Sequence, residues 1–245
     1  MSNNDDRHQT FSAYKQKAGK SLGIQTNLVE VPPSATTQQY INIIKHESES
    51  ADGILVQLPL HNEIDTFSVL NAVPTTKDVE GLGADSVGLL IQDNTQIYSP
   101  VAKAALHALM IAEEQLGIKR NTLHTAIVGN SYLIGRPLSA ILSRQCRSVT
   151  ICNRHTDNIS EITRSADVII TGTGRPHSIT KEMVKNGAIL IDAGYEIIDG
   201  TITGDIHPDA HRDASFFTPV PGGIGPVTIA YIFDNFMLRM QKYES

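Results

Sequence analysis

The chain has 245 residues, 40% hydrophobic and 19% charged, enough for two modest domains that each bury a core. A net charge of −6 supplies no basic footprint for nucleic acid or an anionic membrane surface, and no apolar run reaches membrane-spanning length. Two cysteines, Cys146 and Cys152, without a signal peptide fit a reducing cytosol, and nine histidines without paired-Cys or H-E-x-x-H spacing argue against a metal site.

From Asp6 to Leu22 the apolar positions Phe11, Tyr14, Ala18 and Leu22 recur at helical spacing, and Gly23 stands where a C-terminal cap would. Asn27 to Val31 and Gly53 to Leu58 read as buried strands. Between them Tyr40, Ile41 and Ile44 mark a helix from about Thr37 to Glu47. A loop is expected from Val73 to about Gln92, then a long helix from about Val101 to Leu116 ended by Gly117. Thr125–Val128, Ser148–Asn153, Asp167–Thr171 and Ala188–Ile191 are short β-rich runs separated by helix-compatible stretches, the pattern of a doubly wound α/β sheet. The last stretch, Val227 to about Lys242, reads as an amphipathic helix that returns to the first domain. The expected division is residues 1–120 with 226–245, and residues 121–225 as a Rossmann-type domain.

Ile127-Val-Gly-Asn-Ser-Tyr-Leu-Ile-Gly-Arg-Pro137 follows the first of these strands and opens a helix. Gly129 suits a tight turn, Gly135 suits close backbone approach, and the free N–H groups at the helix start suit a phosphate, although a plain strand-to-helix turn fits the same residues. The next strand ends at Asn153-Arg154-His155, where an NAD enzyme would place an acid on the ribose hydroxyls. A guanidinium there matches a 2′-phosphate, which favours NADP with NAD as the alternative; a surface arginine is the plain reading. Thr171-Gly-Thr-Gly-Arg-Pro176 is either a simple turn or a backbone passing close to a nicotinamide or ribose. Near the end, Thr218 to Thr228 packs three prolines and three glycines into eleven residues, a stiff backbone open to close approach by a ligand.

Taken in order, Leu55-Val-Gln-Leu-Pro-Leu60, Lys77-Asp-Val-Glu-Gly81, the G-x-S-x-x-x-G-x-P loop, Asp192-Ala-Gly-Tyr, Gly204-Asp-Ile and T-P-V-P-G-G-I-G-P-V-T resemble the methylenetetrahydrofolate dehydrogenase/cyclohydrolase family over nearly the whole chain. The resemblance implies a two-domain α/β enzyme, a cytoplasmic homodimer of one-carbon metabolism and purine biosynthesis, in which a tetrahydrofolate derivative and NADP meet in a cleft. It implies Lys15 as the lysine of the family's Tyr-x-x-x-Lys helix, with Phe11 where the family has tyrosine; spacing of four puts both on one helix face. It also implies catalytic roles for Gln57 and Glu80, and substrate contacts for Phe11, Leu58, Pro59, Pro221, Gly222 and Gly223. Cofactor contacts are implied for Gly129, Asn130, Ser131, Gly135, Arg136, Pro137, Arg154, Thr171, Gly172, Thr173 and Gly174.

Three departures bear on activity. The family's aspartate after Lys-Asp-Val is Glu80 here, and displacing a carboxylate by about 1 Å can cost on the order of a hundredfold in rate. The family's Pro-Cys-Thr-Pro stretch is represented only by Ser99-Pro-Val-Ala-Lys103. Roughly thirty residues that precede the catalytic helix in the family have no counterpart, which would expose a sheet edge. The expected activity is therefore NADP-dependent oxidation of 5,10-methylenetetrahydrofolate and hydrolysis of the methenyl product. A dehydrogenase with little cyclohydrolase activity and a catalytically silent folate- or nucleotide-binding paralogue are the alternatives.

Overall fold

A computed structural model describes residues 3–241, with side chains from Phe11 onward. The chain forms two compact units, residues 1–98 with 229–245 and residues 99–228.

The first unit begins with helices α1 (Asn3–Ser21) and α2 (Thr37–Glu47). Helix α2 starts where Thr36 and Gln39 form a reciprocal capping box, which satisfies donors at the helix N-terminus. Helix α3 (Thr66–Asn71) is capped by the Asp65 carboxylate, which accepts from the Phe67 and Ser68 N–H groups. Ile44, Ile64, Val69 and Val73 form its core, with Tyr40, Ile54, Val56 and Leu60 packed against them.

Asn27–Val31 is not a strand: Leu28 and Val29 stay largely exposed, because no described segment runs alongside to complete a ladder. Gly53–Leu58, read as a buried strand, contributes only a single parallel bridge, Ile54 to Asp78, and its residues are half-buried. The expected loop after Val73 contains a 3-10 turn (Thr75–Lys77) and a helix, α4 (Ala84–Ile91). Ser86 and Leu90 are its buried positions, and this tertiary burial outweighs the weak helix propensity of Gly88 and Asp85.

The second unit opens with α5 (Pro100–Leu116), capped by Ser99 with Pro100 at its first turn and closed by Gly117 in the left-handed region. Strand β1 (His124–Val128), helix α6 (Gly135–Leu142), β2 (Ser148–Cys152), α7 (Ile159–Ser165), β3 (Val168–Thr171) and β4 (Ile189–Asp192) follow, each strand within a residue or so of its predicted bounds. A hairpin of β5 (Glu196–Ile198) and β6 (Thr201–Thr203) turns at Asp199-Gly200, both with positive φ, and β7 is only Phe216–Phe217. The main sheet is wholly parallel, ordered β2-β1-β3-β4-β7. Ile127, Ile169, Ile170, Leu190 and Ile191 are fully buried, as expected of strands covered on both faces. The order reverses between β1 and β3, so a crevice at the carboxyl ends of these strands is the usual ligand position in such a sheet.

Helix α8 (Ile224–Gln241) starts in the second unit and, from Ile229, belongs to the first. Lys242, its expected end, lies outside the described residues. No described helix is long and apolar enough to cross a membrane.

Candidate active site

In the first unit, α1 carries Lys15 to Gln57, and the ammonium Nζ donates to the Gln57 Oε1 at 2.5 Å. The same Nζ lies 5.2 Å from the centre of the Phe11 ring one helical turn earlier, within cation–π range. Glu80 is buried nearby in charge terms: burial above all, opposed by the Lys15 charge and reinforced by Asp78, pushes its carboxyl up to about pKa 7. Burial likewise lowers the proton affinity of Lys15, and the Glu80 charge partly restores it. The Glu80 Oε2 is buried without a hydrogen-bond partner among the described residues. A buried acceptor left open is costly unless something supplies a donor. The three groups therefore present a lysine able to exchange a proton, an amide that orients it, and a carboxyl oxygen ready to accept from a ligand N–H. Leu58 and Pro59 follow Gln57 directly, and their peptide bond is cis.

Glu80 is set in place by residues that sequence reading did not single out. The Asp78 carboxylate accepts from the Gly81 and Gly83 N–H groups at 2.8 and 3.0 Å and from the Ser86 hydroxyl at 2.9 Å. From α8, the Asn235 amide donates to the carbonyls of Val79 at 2.7 Å and Tyr98 at 2.9 Å. One turn on, Arg239 donates to the Asp78 carbonyl at 3.2 Å and the Ser86 hydroxyl at 3.3 Å. Gly81 is required, because its φ is 65° and a Cβ would sit 2.7 Å from the Tyr98 Cα. The available signal was Asn235 and Arg239, a polar pair spaced four apart in a largely apolar helix.

In the second unit, Gly129 follows β1 with φ 116°, and a Cβ there would lie 2.8 Å from the Gly172 carbonyl oxygen. A Cβ on Gly135 would lie 2.0 Å from the Gly129 carbonyl oxygen, and one on Gly172 would lie 2.7 Å from Ile134. The loop between β1 and α6 and the loop after β3 thus pack tightly against each other at the carboxyl ends of these strands. The Ser131 hydroxyl accepts from the Ile134 N–H, and Arg136 stacks over the Tyr132 ring at 4.0 Å. Asn130 precedes Ser131 in this loop, and Pro137 occupies the first turn of α6, where its missing N–H is harmless. Arg154 lies exposed on the turn after β2 and donates to the His155 ring at 3.0 Å. Thr171 ends β3, followed by Gly172, Thr173 and Gly174, the last with φ 64°. Pro221, Gly222 and Gly223 form a tight turn in which the Gly223 N–H donates to the Pro219 carbonyl at 2.8 Å. Among the described residues, no group of three or more His, Cys, Asp or Glu could hold a metal ion.

Residues 102–244 match the tetrahydrofolate dehydrogenase/cyclohydrolase NAD(P)-binding domain, and residues 1–80 match the catalytic domain of the same family. The chain is 36% identical to a Campylobacter curvus protein named bifunctional protein FolD, over 97% of this chain and 83% of the relative. A crystal structure of the bifunctional enzyme FolD, methylenetetrahydrofolate dehydrogenase/cyclohydrolase, from Campylobacter jejuni superposes with a TM-score of 0.84 at 30% identity, over 96% of this chain and 84% of that one. The Trypanosoma brucei methylenetetrahydrofolate dehydrogenase-cyclohydrolase, solved with NADP cofactor and an inhibitor, also gives 0.84, at 27% identity over 96% of this chain and 82% of that chain.

Proposed function

The chain belongs to the tetrahydrofolate dehydrogenase/cyclohydrolase family, and from that premise we propose that it oxidises 5,10-methylenetetrahydrofolate with NADP and hydrolyses the methenyl product to 10-formyltetrahydrofolate. The observation that carries this reading is the half-buried Lys15–Gln57 pair beside a buried Glu80 carboxyl with an open oxygen. Glu80 would accept from N–H donors of the pterin ring and fix the bridge carbon's position. Leu58, Pro59 and Phe11 would line the same pocket.

A dinucleotide reading is supported by the close packing of the loops after β1 and β3 at Gly129, Gly135 and Gly172, where a Cβ would collide with neighbouring protein atoms, at the carboxyl ends of the strands where the sheet order reverses. Gly129, Asn130, Ser131, Gly135, Arg136 and Pro137 would hold its pyrophosphate, Arg154 a 2′-phosphate, and Thr171, Gly172, Thr173 and Gly174 the nicotinamide side. NADP, when bound, supplies the hydride acceptor for the methylene carbon. In the hydrolytic step, water adds to the methenyl carbon and the bond from that carbon to N5 breaks. Lys15, its proton affinity lowered by burial, takes a proton from the water, and N5 gains one as it departs; one proton is released overall. Gln57 holds the lysine in place throughout.

Absorbance of the purified chain with 5,10-methylenetetrahydrofolate, following NADPH and methenyl product separately, should show NADP reduced faster than NAD. No reduction with either cofactor would remove the proposal in favour of a silent binding protein. We also read the protein as a cytoplasmic homodimer that uses neither nucleic acid nor membrane, in line with its negative net charge; a monomer by light scattering would refute the dimer.

One observation favours a second reading, a dehydrogenase with weak cyclohydrolase activity. The Phe11 ring offers Lys15 a cation–π contact, which favours the charged form, and lacks a hydroxyl to exchange protons with it. Phe11→Tyr should then raise methenyl hydrolysis by roughly threefold or more while leaving NADP reduction within about twofold. Equal change in both activities would count against it.

A further inference from the structure

Two carboxylates that the reaction does not use lie at the end of β4, both nearly inaccessible: Asp192 is 2% exposed and Asp205 1%. Asp192 Oδ1 accepts from the Thr171 hydroxyl at 3.1 Å and from the Gly194 and Asp205 N–H groups at 2.8 and 3.1 Å. Its Oδ2 accepts from the Ile206 N–H at 2.8 Å. Asp192 thereby ties the segment after β6 to the end of β4. Asp205 in turn reaches the loop after β3. Its Oδ2 accepts from the Thr173 N–H at 2.6 Å and the Thr173 hydroxyl at 2.9 Å, and its Oδ1 accepts from the Arg175 N–H at 3.0 Å. The Asp205 carbonyl also accepts from the Ile179 N–H at 3.0 Å, so both ends of residues 173–179 are held from this one position.

The fit around the pair leaves no room for a side chain. A Cβ on Gly194 would lie 2.3 Å from Asp205 Oδ1, and one on Gly204 would lie 2.3 Å from Asp192 Oδ2. Keeping two buried carboxylates together is unfavourable: burial first, with a contribution from Asp192, pushes the Asp205 carboxyl up to about pKa 6. A simple turn could be closed by serine or asparagine without that cost. A carboxylate offers acceptors on both oxygens, and here they hold N–H groups two residues apart, which sets the direction of the backbone between them.

We propose that Asp205 is the positioning residue for the cofactor loop: anchored by Asp192, it fixes Thr173 and Arg175 so that Thr171 to Gly174 presents its backbone to NADP. This rests on the reading of Thr171–Gly174 as a cofactor contact. Asparagine at position 205 keeps the shape but turns one acceptor into a donor, which faces an N–H and cannot bond with it. Asp205→Asn should weaken NADP binding about tenfold by isothermal titration calorimetry and raise the KM for NADP similarly. Methenyl hydrolysis measured without cofactor should stay within twofold. Unchanged NADP affinity in the variant, with a wild type that binds, would overturn the positioning role, as would an equal fall in both activities. A wild type that does not bind NADP would instead overturn the reading of the loop itself. Should Asp205→Asn fail to fold, Asp192→Asn loosens the anchor that accepts from the Asp205 and Ile206 N–H groups: NADP binding weakened about threefold with hydrolysis unchanged is expected, and no weakening overturns the proposal.

Discussion

Lys15→Ala should lower methenyl hydrolysis by about a hundredfold to ten-thousandfold, the range for removing a positioned general acid–base group. The size follows from what the residue does: its ammonium is oriented by Gln57 at 2.5 Å and its proton is loosened by burial. Oxidation of the methylene carbon is driven by the substrate's ring nitrogens, so NADP reduction should fall much less. Steady-state rates of both activities on one preparation check this. Full cyclohydrolase activity in the alanine variant would remove Lys15 from the reaction. A parallel loss of both would assign it to substrate binding, because losing uniform binding affects each step that uses the same folate.

Gly135→Ala should reduce NADP affinity more than tenfold and destabilise the second unit by about 1 to 3 kcal/mol, the usual cost of forcing atoms into a packed site. The added methyl would stand 2.0 Å from the Gly129 carbonyl oxygen and 2.7 Å from the Asn130 Cα. Both obstacles are backbone, so relief requires the loop between β1 and α6 to move as a whole, and that loop is the proposed pyrophosphate cradle. Calorimetric titration with NADP and a thermal melt read the two effects. Wild-type affinity in this variant would show that the loop is an ordinary strand-to-helix turn.

Much of the second unit was legible because local signals and the global fold agree there. The four β-rich runs became parallel strands, since the Ile127–Ile170–Ile191 row on one face and the Ala126–Ile169–Leu190 row on the other are both apolar and buried. The β5–β6 hairpin was also legible in Ile198-Asp-Gly-Thr201, an Asp-Gly turn flanked by β-branched residues, but was not read. In the first unit the same composition misled. Asn27–Val31 has strand-forming residues, but strand formation needs a neighbour with which to exchange hydrogen bonds, and no described segment provides one. Helix α4 went unread because eight residues containing Gly88 carry little periodicity, and its stability comes from burying Ser86 and Leu90.

By itself, the sequence determined the fold class, the helix caps at Thr36, Ser99 and Gly117, the glycines of the loop between β1 and α6 and the spacing that sets Phe11 one turn from Lys15. These depend on residues within about one helical turn or one strand of each other, where dihedral preference and periodicity act directly. Only the tertiary structure decided that Lys15 meets Gln57, that Asn235 and Arg239 hold the main chain around Glu80, and that Asp205 grips the loop at Thr173. Such bonds join residues tens to more than a hundred positions apart. Each side chain is an ordinary polar residue in its own segment, and it gains a specific partner only when folding removes water from both and leaves each with the other as its remaining hydrogen-bonding choice.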